Sequence, residues 1–393
     1  MKLNKTELFV LVAVLILIGL GVAYFLPFAK EHKNLPPVVS VPEQVVVSVV
    51  VPPQSPLFKL DQPLMITVSF PNPQNLDDYI VGVRSSKGIP LEFLKWLRTS
   101  LSSEAKEPQV QQIDEVTHYF IFSNSVEEID VRNLKHSEIE IPVLKESEGL
   151  RFKIHLDKIW GNFVKLSEKE AAIARLLRSY EIPCTLNPHL AQQRGEENVF
   201  MVYASLPTEM VVKEILESLG LGGLSNETDF GSKQVKMFLT LREDGDLINP
   251  VLGLPKQFKN MIDLGLQFLR AALQEEEQTQ VKFWDATVKN DFYLLGLSTK
   301  NLQVSADDIP SNEIGFYTRF NPNSFFPKLN ATLNQLTDKL PQNIILTAQQ
   351  SFAILNLQIQ QAIDNNPYVP TNLPFFFSLN FGTLSATCEM GTR

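Results

Sequence analysis

The sequence predicts an α+β protein: one N-terminal transmembrane helix, then a soluble body of two or three β-α-α-β-β-like lobes with antiparallel sheets. Three observations carry that expectation. Residues Leu8 to Phe28 form an uncharged, almost wholly apolar run. Farther on, a strand pattern stopped by proline and followed by an amphipathic helix pattern occurs three times. Each occurrence is followed by another helix pattern and two more strand patterns.

As a helix, Leu8 to Phe28 would be about 30 Å long, the thickness of a bilayer's hydrocarbon core. Tyr24 and Phe25 fall where interfacial aromatics belong, and Pro27 ends the helix there. Lys2 and Lys5 before the run, with Gly21 and Ala23 inside it, also fit a cleaved signal peptide. The run continues past Ala23, which favours an uncleaved signal-anchor at 8–28 behind a short tail at 1–7. That tail, with its free amine, places the N-terminus inside. The expected localisation is therefore a single-pass membrane protein with a periplasmic or extracellular domain, and the membrane is an expected partner through Leu8–Phe28.

Residues 29–57 read as a stalk. Pro36, Pro37, Pro42, Pro52, Pro53 and Pro56 enforce extended backbone, and Val45 to Val51 is a strong strand former. The body divides into lobes at 58–165, 166–305 and 306–393. The first begins with strand Met65–Pro71, a helix over Asn75–Val81 and a helix over Pro90–Ser102. It closes with strands Val116–Ser123 and Ile139–Leu144. The second has a helix opened by the capping box Ser167 to Glu170, strand Val199–Pro207 and a helix over Thr208–Leu219. A hairpin turning at Asp244-Gly245, a helix over Pro255–Gln274 and strands Val281–Val288 and Phe292–Ser298 complete it. The third has strand Ile314–Pro322, helices Ser324–Leu336 and Leu346–Ile363, and strands Pro374–Asn380 and Thr383–Met390. Proline ends a strand's hydrogen bonding yet suits the first turn of a helix, which gives the repeated punctuation its cause.

Composition narrows the function. With 44% hydrophobic and 20% charged residues, the chain can bury a sizeable core. A net charge of −9 without a basic cluster argues against a nucleic-acid partner. The two cysteines, Cys184 and Cys388, exclude a disulfide-rich scaffold and read as buried thiols or one long-range bridge, with thiols favoured.

No catalytic, cofactor-binding or metal-ligating residue is assigned, and no cofactor is expected. Histidines 32, 118, 136, 155 and 189 show no metal-ligand spacing, and Cys184 with His189 sits in a Pro-rich stretch better read as a structural loop. Gly220-Leu221-Gly222-Gly223 follows a helix pattern, as a helix cap does and a dinucleotide loop does not. Asp77-Asp78, Glu243 to Asp246 and Asp307-Asp308 lack the spacing of a calcium loop. Phe375-Phe376-Phe377 places aromatics on both faces of a strand, as core or as the lining of an apolar groove. Sequons stand at Asn226 and Asn330.

These features point to a membrane-anchored envelope protein with a non-enzymatic binding or scaffolding ectodomain, its partner a protein or a hydrophobic ligand. A lipid carrier is the alternative suggested by the Phe-rich strands. A third reading is an enzyme assembled from dispersed groups such as His118, His155, Cys184 and His189.

Overall fold

The computed structural model describes residues 38–43, 45–52, 62–72, 78–101, 108–123, 129–141, 148–155, 180–208, 234–260, 262–264, 267, 285–299, 302, 304–337, 342–364 and 372–391. The run Leu8–Phe28, the capping box at Ser167, nearly all of the helix expected at 208–219, Gly220–Gly223, Asn226 and His32 lie outside them.

Among the described residues the fold is mostly β, which corrects the α+β expectation: strands make up 49% of them and helices are few. The expected single-pass membrane localisation is corrected as well. Among the described residues no helix is long and apolar enough to cross a membrane. The chain divides into two compact units, one built chiefly from residues up to Asn187 and the other from Pro188–Gln361 with Thr371–Gly391.

The first unit holds β1 (Val38–Pro42), β2 (Val45–Val51), β3 (Leu64–Ser69), β4 (Tyr79–Ser85), α1 (Leu91–Leu101), β5 (Gln109–Asp114), β6 (Thr117–Phe122), β7 (His136–Glu140), β8 (Glu148–Ile154) and β9 (Tyr180–Leu186). Its larger sheet runs β9-β8-β2-β3-β4-β6-β5, and β1 and β7 form a separate ribbon. The pairings are antiparallel. The described part of the expected stalk is therefore sheet: β2 lies between β8 and β3, and six of its seven residues are buried. Its valine run, interrupted only by the buried Ser48, suits a strand covered on both faces. The ribbon packs on β2 and β3 through Val39, Val41, Val45, Val50, Met65 and Ile141.

Besides β1, four strands of this unit escape the sequence pattern. Tyr79–Ser85 overlaps an expected helix, because a short apolar run fits either period. Gln109–Asp114 is polar and mostly exposed, as the end strand of the sheet can be. The other two are Glu148–Ile154 and Tyr180–Leu186. The latter absorbs Pro183, which faces Arg151 across the pair, so the stretch read as a Pro-rich loop is largely strand.

The second unit holds α2 (Leu190–Arg194), β10 (Asn198–Pro207), β11 (Gln234–Asp244), β12 (Leu247–Pro255), β13 (Asp285–Lys289), β14 (Phe292–Gly296), β15 (Glu313–Thr318), α3 (Pro322–Gln335), α4 (Gln342–Asp364), β16 (Phe375–Asn380) and β17 (Ser385–Met390). Its strand order is β13-β14-β12-β11-β10-β15-β16-β17, again antiparallel. The β11–β12 hairpin turns at Gly245, whose φ of 61° suits glycine. Asn290, with φ 52°, turns the β13–β14 hairpin. In place of the first part of the helix expected from Pro255 stands a 3-10 turn, Lys256–Phe258.

Register places two rows of side chains on one face of this sheet. The first runs Gly253, Phe238, Tyr203, Gly315; the second runs Val251, Thr240, Met201, Tyr317, Phe376. Most of these residues join Leu190, Leu302 and Ile309 in a continuous core. On the opposite face Phe316 approaches Phe200 edge-on, with ring centroids 5.4 Å apart. Helix α3 packs on β12, where the Thr332 hydroxyl donates to the Ile248 carbonyl and accepts from its N–H, both at 2.9 Å.

Candidate functional site

A cleft of about 430 Å³ opens in the second unit, within the range of small-molecule sites. One wall is the end of α2 and the turn after it, with Gln193, Arg194, Gly195, Glu197 and Asn198. Met201 and Tyr203 of β10 form its floor. Leu302, Val304 and Asp308 close the other side.

Local chemistry builds each wall. Leu190 is fully buried and anchors the short α2. Gly195 ends it with φ 85°, where a Cβ would also meet the Asn198 amide at 2.5 Å. Asn198 clamps the turn: its Nδ2 donates to the Arg194 carbonyl at 2.6 Å, and its Oδ1 accepts from Thr240 Oγ1 at 2.7 Å. The segment around 302–306 is drawn onto the sheet by lysines. Lys236 Nζ donates to the Ala306 carbonyl at 2.7 Å, and Lys289 Nζ donates to the Leu302 carbonyl. A 3-10 turn, Ala306–Asp308, carries Asp308, whose Oδ2 accepts the Ser305 N–H at 2.7 Å in a capping box.

Among the described residues Arg194 is the single cation lining the cleft. Its guanidinium carbon lies 3.6 Å from the centroid of the Phe376 ring, a cation–π contact. The Tyr203 hydroxyl donates to Glu313 Oε1. Burial first, then that hydrogen bond and the charge of Glu313, push the Tyr203 phenol far above its ordinary range, with Arg194 pulling the other way. Tyr203 is therefore neutral, a donor rather than a base. Tyr317, 1% exposed, is pushed up to about 12 chiefly by burial. Its hydroxyl has no hydrogen-bond partner among the described residues.

Of the residues singled out from the sequence, Asp308 lines the cleft and the others fall elsewhere. None of His118, His155, Cys184 and His189 lines the cleft. His118 on β6 and His155 after β8 are separated by β2, β3 and β4, about 19 Å at the usual strand spacing. Cys184 is disulfide-bonded, as is Cys388, so neither is the free thiol favoured from sequence, and the Cys184–His189 pair has no nucleophile. Asp78 accepts from Ser123 Oγ at 2.9 Å, Glu243 pairs with Lys328 at 2.9 Å, and Asp307 and Asp308 belong to the capped turn. Among the described residues no group of three His, Cys, Asp or Glu side chains converges as a metal site. Phe375 and Phe376 are buried, Phe376 beneath Arg194. Apart from Asp308, noted within an acidic pair, the cleft residues carried no sequence signal, because they come from two segments about a hundred residues apart, with Phe376 farther still.

No family model, curated protein or solved structure matches the chain.

Proposed function

We propose that the chain is a non-enzymatic binding protein whose second unit takes a small molecule into the cleft beside Arg194. The observation that carries this reading is the cleft's composition. A guanidinium held by an aromatic face, two carboxylates and two amides stand alongside the apolar side chains of Met201, Leu302 and Val304. A few convergent polar groups in an apolar concavity are the usual form of a ligand site. The polar walls weigh against a lipid tail as the occupant, since acyl chains would desolvate the carboxylates of Glu197 and Asp308 without compensation.

The test is ligand-observed NMR of the full chain with mixtures of amino acids, short-chain acids, amines and sugars. The expected result is saturable binding that disappears in Met201→Trp and in Val304→Phe, two independent ways of filling the cleft. No binding, or binding that both variants retain, overturns the proposal.

A further inference from the structure

Resting on that reading, the ligand's chemistry follows from how the charges in the cleft are already committed. Arg194 is stacked on Phe376, which fixes the plane of its guanidinium and leaves edge N–H groups to bond. Its charge acts on the Tyr203 hydroxyl, which itself donates to Glu313. Among the described residues Arg194 forms no ion pair with a carboxylate. A half-buried guanidinium with spare donors is a site for an oxyanion, and a carboxylate matches its fork.

The same cleft carries two carboxylates, each half engaged. Glu197 gives Oε1 to Arg242 at 2.6 Å, and Asp308 gives Oδ2 to the Ser305 N–H at 2.7 Å. Oε2 of Glu197 and Oδ1 of Asp308 make no hydrogen bond among the described residues. Carboxylate oxygens accept only, so these positions call for a donor, best a cationic one. A phosphate dianion would be repelled by them, and a simple acid would leave them desolvated. An amine alone would leave Arg194 unanswered.

We propose that the ligand is a small zwitterion, an α-amino acid with an apolar side chain. Its carboxylate lies on Arg194, its ammonium on Glu197 and Asp308, and its side chain on Met201, Leu302 and Val304.

Isothermal titration calorimetry on the full chain at neutral pH tests this with L-leucine, isocaproate and isoamylamine, which share one apolar group and differ in charge. L-leucine is expected to bind roughly tenfold or more tightly than either analogue. Arg194→Gln is expected to lower leucine affinity to that of the amine, and Asp308→Asn to lower it toward that of the acid, with folding checked by circular dichroism. If a variant does not fold, the comparison of the three ligands on the unaltered chain decides. Isocaproate or isoamylamine binding as tightly as leucine overturns the zwitterion assignment. So does failure of all three while another probe still binds in a Met201→Trp-sensitive way. Absence of any such binding removes the cleft reading as well.

Discussion

Tyr203 lies across Gly315, the residue directly opposite it on β15, so that a Cβ on Gly315 would clash with Cζ, Cε1 and the hydroxyl of the tyrosine. Phe238 stands in the same relation to Gly253, its partner on β12. In the first unit Tyr119 covers Gly82, where a Cβ would meet Tyr119 Cε1 at 2.8 Å. In each pair an aromatic ring fills the space that a glycine leaves in the pleated surface, which also offsets the weakness of glycine in a strand.

Replacing the glycine should therefore overpack the sheet. Gly315→Ala is expected to destabilise the second unit by about 1–3 kcal/mol and to displace the Tyr203 hydroxyl from Glu313. Gly88→Ala is the control, because a Cβ there meets only the Glu115 carbonyl oxygen at 3.6 Å. Urea unfolding of the two variants should show a large loss in the first and little change in the second. Equal effects would remove the packing explanation.

Tyr203 and Tyr317 should ionise late. Both phenols are raised by burial, and their neutral forms are favoured in the folded chain. Their stabilising contribution is present below pH 10 and declines as pH rises above it, since only the unfolded chain releases the proton there. A tyrosinate absorbance titration should show late-ionising groups that Tyr203→Phe and Tyr317→Phe each reduce. Tyr203→Phe also deprives Glu313 of a donor, at a cost of about 1.5–3 kcal/mol.

His118 should make the first unit acid-sensitive. Its side chain is buried opposite Val83 and Gln112, and its Nδ1 has no partner among the described residues. Burial lowers its pKa below the ordinary imidazole range, with Asp114 pulling partly upward. The unfolded chain then binds the proton more readily, so stability is lost as pH falls through about 6.5 toward the folded value. Urea midpoints measured between pH 5 and 7.5 should fall with acid in the unaltered chain and fall less steeply in His118→Gln. Parallel slopes would exclude His118 as the cause.

Thr332 ties α3 to β12 by bonding both backbone groups of Ile248, and it is 4% exposed. Thr332→Val keeps the shape but leaves those groups unpaired, an expected loss of about 1–3 kcal/mol. Thr332→Ser should retain most of the stability. A thermal or urea melt separates the two, and a serine variant as weak as valine would show that the methyl group matters more than the hydroxyl. The threonine of the Asn330 sequon is thus committed to packing.

By itself the sequence determined the features that depend on neighbours along the chain. The β11–β12 and β13–β14 hairpins with their Gly245 and Asn290 turns, strands β10 and β16, and helices α1, α3 and α4 all follow from local period and turn residues. Tertiary structure decided what depends on partners across space. Val38–Pro42 became a ribbon strand because His136–Glu140 pairs with it, and Tyr79–Ser85 became a strand because it lies between β3 and β6. The cleft belongs to the same class. Arg194, Met201, Asp308 and Phe376 meet through the order and register of strands, and register is a non-local property that no window of sequence contains.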